Sequence, residues 1–221
     1  RICKGCEKEY IINKCHSKIH QDKKMASRNL PFADGKLIRA FREILKGLRL
    51  DLSDENFIDT PFRMLRSYYE ILEGVYNLKE VENILLSKFI SDYDGIVIAD
   101  NIKCFSLCPH HFLPVEYTID FGYISNGYSL GLSKIIRFIE LLAKRPILQE
   151  TMTKEIIDMF NNHFSPKGTI VRVRGEHACM QMRGVKMPCV AITTASISGS
   201  FQIESTRNEF YALLEISRLT D

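Results

Sequence analysis

No stretch of this chain approaches the roughly eighteen consecutive apolar residues of a membrane-spanning helix, so no transmembrane segment is expected. The basic start is not followed by a secretory h-region, although a chain opening on Arg1 is expected to be truncated or processed. Cysteine is too sparse and too irregular for a secreted disulfide scaffold: there are seven, an odd number. Thiols kept for metal in a reducing, cytoplasmic compartment are the better expectation. Basic charge is also scarce where it would matter for nucleic acid. Residues 1–30 carry eight Lys or Arg against three Asp or Glu, while the remainder holds 22 basic and 24 acidic groups. The net +3 therefore belongs to the N-terminal arm, and no nucleic-acid partner is expected for a body of net charge −2. With 45% hydrophobic residues in 221, the chain can bury a core.

What the chain does have is histidine and cysteine in company. Of six histidines, three fall in two short motifs, Cys108-Pro109-His110-His111 and His177-Ala178-Cys179. Two thiolates and an imidazole leave a fourth position open on a tetrahedral zinc ion, the arrangement of a catalytic metal. A closed structural site, with His110 or His177 as fourth ligand, fits the same spacing. If both stay off the metal, each is suited to move protons, since an unperturbed imidazole titrates near about 6.5. In the N-terminal arm, Cys3-x2-Cys6 and Cys15-His16-x3-His20 have ligand-like spacing, but the gap between the pairs is short for a zinc finger.

Periodicity supplies the scaffold. Apolar residues at helical spacing run from Gly35 to Leu50, and Thr60-Pro61 opens a second helix with Arg63 in its first turn. A short helix is expected near Val81–Leu86. Gly95–Ala99 and Phe105–Leu107 read as strand segments separated by a turn at Asp100-Asn101. Val115, Tyr117, Ile119, Phe121 and Tyr123 alternate with Glu116, Thr118 and Asp120, which predicts a half-buried strand. Two helices, Ser133 to about Lys144 and Glu150–His163, precede strands at Thr169–Arg174, Ala178–Arg183 and Val190–Ser198. A closing helix runs from Thr206 to about Arg218. Strands paired on either side of a helical pair predict an α+β domain, an antiparallel β-sheet with helices packed on one face. Its uncovered edges favour oligomerisation.

Polar residues in apolar surroundings mark anion and base contacts. Ser133-Lys134 at a helix start, with Arg137 one turn on, can bind phosphate or can be an N-cap and a solvated lysine. Glu150, beside Gln149, can hold an N–H pair of a nucleobase or be an ordinary first-turn carboxylate.

Taken together, Thr60-Pro-x-Arg63, Cys108-x-His110-His111, Gly131-Leu-Ser-Lys134, Arg145-Pro-x-x-Gln149-Glu150, His177-x-Cys179 and Arg183-Gly184 resemble the GTP cyclohydrolase I family in order and spacing, from about Gly35 to Ser217. The resemblance implies a tunnelling fold whose subunits join their sheets into rings, two rings stacking as a homodecamer with active sites at subunit interfaces. It divides the chain into a basic extension (1–33), an N-terminal helical segment (34–90) and a tunnelling-fold catalytic domain (91–221). The implied reaction takes GTP and water to 7,8-dihydroneopterin triphosphate and formate, the entry to folate or tetrahydropterin synthesis. Cys108, His111 and Cys179 are then expected to hold Zn2+, and water activated there attacks C8 of the purine. His110 is expected to donate a proton at ring opening, and His177 and Ser133 to serve later proton transfers. Glu150, with Gln149, is expected on the guanine edge, and Arg63, Lys134, Arg137 and Arg183 around the triphosphate.

Pro109 departs from the family's usual Cys-Glu-His-His. It removes a charge and a backbone N–H beside the metal and biases Cys108 towards extended geometry. Three alternatives follow: a divergent paralogue acting on a related purine nucleotide, a weakened subunit assembling with an active partner, and a zinc-stabilised module engaging a polyanion through its basic arm.

Overall fold

The structure, a computed structural model, describes residues 35–219. The cysteines and histidines of the N-terminal arm lie outside the described residues. The described residues fall into two compact units, one ending at Leu65 and the other beginning at Arg66. In the first, helix α1 (Gly35–Gly47) is followed by a loop built on Asp side chains. Asp51 accepts from the Ser53 N–H and Asp54 from the Asn56 N–H, the local bonding that favours turns over helix. Helix α2 (Thr60–Ile71) carries the chain into the second unit. Short helices α3 (Glu73–Tyr76) and α4 (Leu78–Leu86) follow.

The second unit is built on strands β1 (Lys88–Ile90), β2 (Ile96–Leu107), β3 (Pro114–Ile124), β4 (Tyr128–Leu130), β5 (Gly168–His177) and β6 (Ile192–Gly199). Four of them form an antiparallel sheet in the order β2-β3-β5-β6, while β1 and β4 make a separate antiparallel ribbon. Between β4 and β5 lie the long helices α5 (Leu132–Ala143) and α6 (Gln149–Phe164). The α+β expectation holds, with α5 and α6 on one face of the sheet.

The alternation read in β3 is the reason. Val115, Tyr117, Ile119, Phe121 and Tyr123 are all buried and pack with Ile135, Phe138, Ile139, Met152, Ile156 and Phe160 of the two helices. Phe160 is the hub, its ring 4.9 Å from Phe121 and from Phe164 and 5.3 Å from Tyr123. Each such side chain contributes roughly 1.5–3 kcal/mol on burial, so a period-two strand facing a period-3.6 helix suffices to hold this layer.

On the opposite face, a second cluster lies at one end. There the closing helix α8 (Glu204–Leu219) lays Phe210 and Leu214 over Ile124, Ile170 and the 3-10 turn residue Phe201. Gly122 permits this approach, since a Cβ there would stand 2.7 Å from the Phe210 ring.

Two local expectations are corrected. Asp100-Asn101 is not a turn between strands: β2 runs through it with a register shift between Ala99 and Ile102. Asn101 takes φ 52°, which asparagine tolerates, and its N–H donates to Asp120 Oδ1 at 3.1 Å, so the bulge is held from the next strand. Nor is Ala178–Arg183 a strand. β5 stops at His177 and Ala178–Gln181 forms one helical turn, α7, which sends Cys179 back towards β2 rather than along the sheet.

Candidate metal centre and active site

Cys108 follows the last residue of β2, and the chain returns as β3 six residues later. Backbone bonds close this turn: Cys108 N–H donates to Leu113 O and Phe112 N–H to Cys108 O, both at 2.8 Å. Neither donor is residue 109, so the turn does not need the N–H that Pro109 lacks. Phe112 supplies the reversal at φ 55°. Cys108 is buried, while His110 and His111 stand exposed on the turn. Their Nδ1 atoms lie 3.9 and 3.8 Å from the Cys108 sulfur.

Register brings up the other half of the centre. β3 and β5 pair Val115 with His177, so the end of β5 lies beside the start of β3, next to the turn. The helical turn after it places Cys179 so that the ligand atoms of Cys108, His177 and Cys179 all lie within 4.8 Å of one another. His111 is not one of these three; its Nδ1 lies 3.8 Å from the Cys108 sulfur and its ring stands edge-on to His110. Burial, and then the Cys108 thiol bonded to it, push the Cys179 thiol above its ordinary range. A divalent cation would reverse that, since coordination favours the thiolate. The donor set fits zinc. Sulfur and nitrogen at about 2.3 and 2.1 Å from one tetrahedral ion stand roughly 3.6 Å apart, close to the contacts Cys108 makes with its histidines.

Gln149, the first residue of α6, supports the centre from beneath. It is buried at 3% exposure, and its amide joins three elements. Nε2 donates to Val173 O at 3.1 Å, to Ile192 O at 2.9 Å and to Thr194 Oγ1 at 3.2 Å, while Oε1 lies 3.0 Å from His177 Nε2. Below it, Thr153 Oγ1 donates to Gln149 O at 2.7 Å and lies 2.6 Å from Thr194 Oγ1. Burial lowers the His177 pKa, and the neighbouring Glu150 charge opposes that shift. Tyr117 stands edge-on to His177, ring centroids 6.2 Å apart. Its buried hydroxyl has no partner among the described residues, and burial pushes its pKa up. Thr153 and Thr194 carried no functional signal in the sequence, and Tyr117 was legible there only as a core position of β3.

Glu150 is exposed and opens onto a shallow groove of about 580 Å³ between α6 and β6, shared with Lys154, Thr194 and Ser196. Arg183 is exposed in the loop after α7, near enough to Cys179 to favour its thiolate.

Not every expected site residue is gathered here. Arg63 is in the first unit, paired with Asp59 at 3.7 Å. Ser133 and Lys134 begin α5, whose N-cap is Gly131 rather than Ser133. That helix starts beside the far end of β3, where the Leu130 N–H donates to Tyr123 OH and Ser125 Oγ to Tyr128 O. From Val115 to Tyr123 is eight strand residues, roughly 26 Å. Ser133 and Lys134 are thus at the opposite end of the sheet from Cys108 of the same chain, and Arg137 lies further along α5, whose end returns to Ser106 of β2.

Fold and site define a class: an antiparallel α+β domain with a Cys-His-Cys cluster able to hold a metal at one end of its sheet. Comparison with known proteins narrows it. A family model described as GTP cyclohydrolase I matches residues 37–215. Curated relatives named GTP cyclohydrolase 1 include one from Streptomyces coelicolor, 35% identical over 83% of this chain and 91% of its own length. Those from Clostridium perfringens and Mycobacterium marinum are 36% and 38% identical, over 82% and 75% of this chain and 97% and 82% of their own lengths. The chain belongs to the GTP cyclohydrolase I family of enzymes. Among solved structures, the archaeosine synthase QueF-Like in the apo form gives a TM-score of 0.39 at 16% identity, covering 50% of this chain and 97% of that one. Dihydroneopterin aldolase from Burkholderia thailendensis bound to guanine gives 0.34 at 12%, covering 49% and 93%. Likenesses this slight carry nothing further. Among the described residues no helix is long and apolar enough to cross a membrane.

Proposed function

We propose that this chain hydrolyses GTP to 7,8-dihydroneopterin triphosphate and formate, with zinc held by Cys108, His111 and Cys179. The observation that carries the reading is the convergence of two thiols, three imidazoles and the Gln149-Glu150 pair at one end of one sheet. Zinc, when bound, supplies Lewis-acid activation of water at neutral pH. The protein's own groups do the rest. His111 shares a single turn with Cys108, so one loop presents both ligands. His110, exposed beside them, donates a proton to the purine nitrogen as its five-membered ring opens. His177 and Ser133 move protons later, as the ribose rearranges and the new ring closes. Glu150 takes the paired N–H groups of the guanine edge through its two carboxylate oxygens. Lys134, Arg137 and Arg183 hold the triphosphate. Arg63 is assigned to the same anion set on the family resemblance alone.

The distance between Ser133-Lys134 and Cys108 within one chain supports a site shared between subunits. Strands β2 and β6, the edges of the sheet among the described residues, are where a neighbouring sheet would add on. That supports the ring-forming tunnelling fold and a stacked homodecamer. Free thiols in the centre support a reducing, cytoplasmic setting, with the product entering folate or tetrahydropterin synthesis. The test is direct. Zinc-loaded, assembled protein is incubated with GTP, the mixture is oxidised, and neopterin fluorescence is read. Fluorescence that grows with enzyme and time is expected; its absence from fully metallated, assembled protein overturns the reading. The divergent or non-catalytic reading rests on Pro109; the turn's bonds do not call on an N–H at that position, while the missing carboxylate and the bias on Cys108 still stand behind it.

A further inference from the structure

The geometry points to Gln149 as a positioning residue that fixes His177 as the Nε2–H tautomer, rather than as a group that touches substrate. Two of the three acceptors around its amide nitrogen are backbone carbonyls, Val173 O and Ile192 O, which cannot donate. The reversed amide would set its oxygen against both, so the nitrogen must face them and Oε1 must face His177. An amide oxygen only accepts. The 3.0 Å contact is therefore a bond donated by His177 Nε2–H, and the neutral ring keeps its lone pair on Nδ1. The amide's two hydrogens are already shared among three acceptors, and the side chain is buried at 3% exposure, which removes it from the substrate edge.

The device extends beyond Gln149. Thr153 donates to the Gln149 carbonyl, so the 2.6 Å contact between the two hydroxyls is donated by Thr194. Thr194 Oγ1 then accepts from the amide, and each hydroxyl hydrogen in the cycle has one place to go. Gly175 makes room for it. A Cβ there would stand 2.3 Å from Gln149 Oε1 and 2.8 Å from the Tyr117 ring, so any larger residue would push the amide off His177. A glycine on β5, a threonine on β6 and a threonine on α6 thus converge on one hydrogen bond.

The inference rests on the proposed role of His177 for its consequence in catalysis, but its test does not need GTP. Zinc-loaded, assembled protein labelled with 15N-histidine is studied by solid-state NMR, His177 being assigned by its loss in His177→Asn. A single tautomer, protonated on Nε2 and bare on Nδ1, is expected. Protonation on Nδ1 overturns the proposal, whether or not the protein turns over GTP. In Gln149→Met, of similar volume but without the amide, the single-tautomer signature should be lost. There kcat should fall on the order of 10²-fold, with KM for GTP little changed. An unchanged tautomer with a raised KM and retained kcat would make Gln149 a substrate ligand and overturn the proposal. Gly175→Ala should give the same spectrum as Gln149→Met, and a wild-type spectrum there counts against it. If neither variant folds, the wild-type spectrum decides alone.

Discussion

His110 and His111 are neighbours in sequence and nearly equidistant from one sulfur, 3.9 and 3.8 Å, yet they are assigned different work. Replacing His110 with Ala should leave zinc content at the wild-type value by atomic absorption. Neopterin formation should fall by about 10²–10⁴-fold, the usual worth of a positioned proton donor. Loss of zinc from that variant would make His110 a ligand. Tyr117 tests the apolar side of the same centre. Its hydroxyl is buried beside His177 without a partner among the described residues, which leaves its desolvation uncompensated there. Tyr117→Phe should therefore unfold in urea at the same or a higher midpoint, by up to about 1 kcal/mol. A loss of more than that would show that the hydroxyl has a partner.

Among the elements, α8 is tied to the sheet through two carboxylates, Asp100, which accepts from Ser217 Oγ at 2.8 Å, and Asp120. Asp120, 2% exposed, accepts from Arg172 and from Arg218 of α8, the latter at 3.0 Å to both oxygens, and from the Asn101 N–H in the bulge of β2. Breaking a buried pair costs about 3–5 kcal/mol, but both arginines reach solvent, so Asp120→Asn should cost nearer ~2 kcal/mol in denaturant unfolding. An unaltered midpoint would mean that Phe210, Leu214 and the Asp100 bond hold the helix without it. This is also the scale at which the sequence was most and least informative. The β3 alternation and the paired long helices were legible because period alone sets which side chains meet. The bulge at Ala99–Ile102 was not, because it is held by a partner far along the chain, and neither was the contact between Gln149 and the start of β6. Asp120 lies 19 residues from Asn101, and Ile192 lies 43 from Gln149. The rare residue types of the site, Cys108, His111, His177 and Cys179, stood out at once. Their supports, Gly175, Thr153 and Thr194, are common residues with no local pattern to mark them.

At the scale of the whole molecule, one chain holds its thiols at one end of the sheet and its Ser133-Lys134 pair at the other. A site made by two subunits should therefore be repairable by mixing. Cys108→Ala and Lys134→Ala homo-oligomers should each be inactive. Co-assembled at equal amounts, they should recover about a quarter of wild-type activity per site if assortment is random, because one interface in four pairs two intact halves. No recovery after verified mixing would place both residues in one subunit's site.

The central claim is a bond-breaking event at C8 of GTP. It is read most directly by giving zinc-loaded protein GTP labelled with 13C at C8 and following the carbon by NMR. One labelled formate should appear for each 7,8-dihydroneopterin triphosphate formed. Labelled carbon that stays in the purine, with GTP unconsumed by metallated and assembled protein, would contradict it.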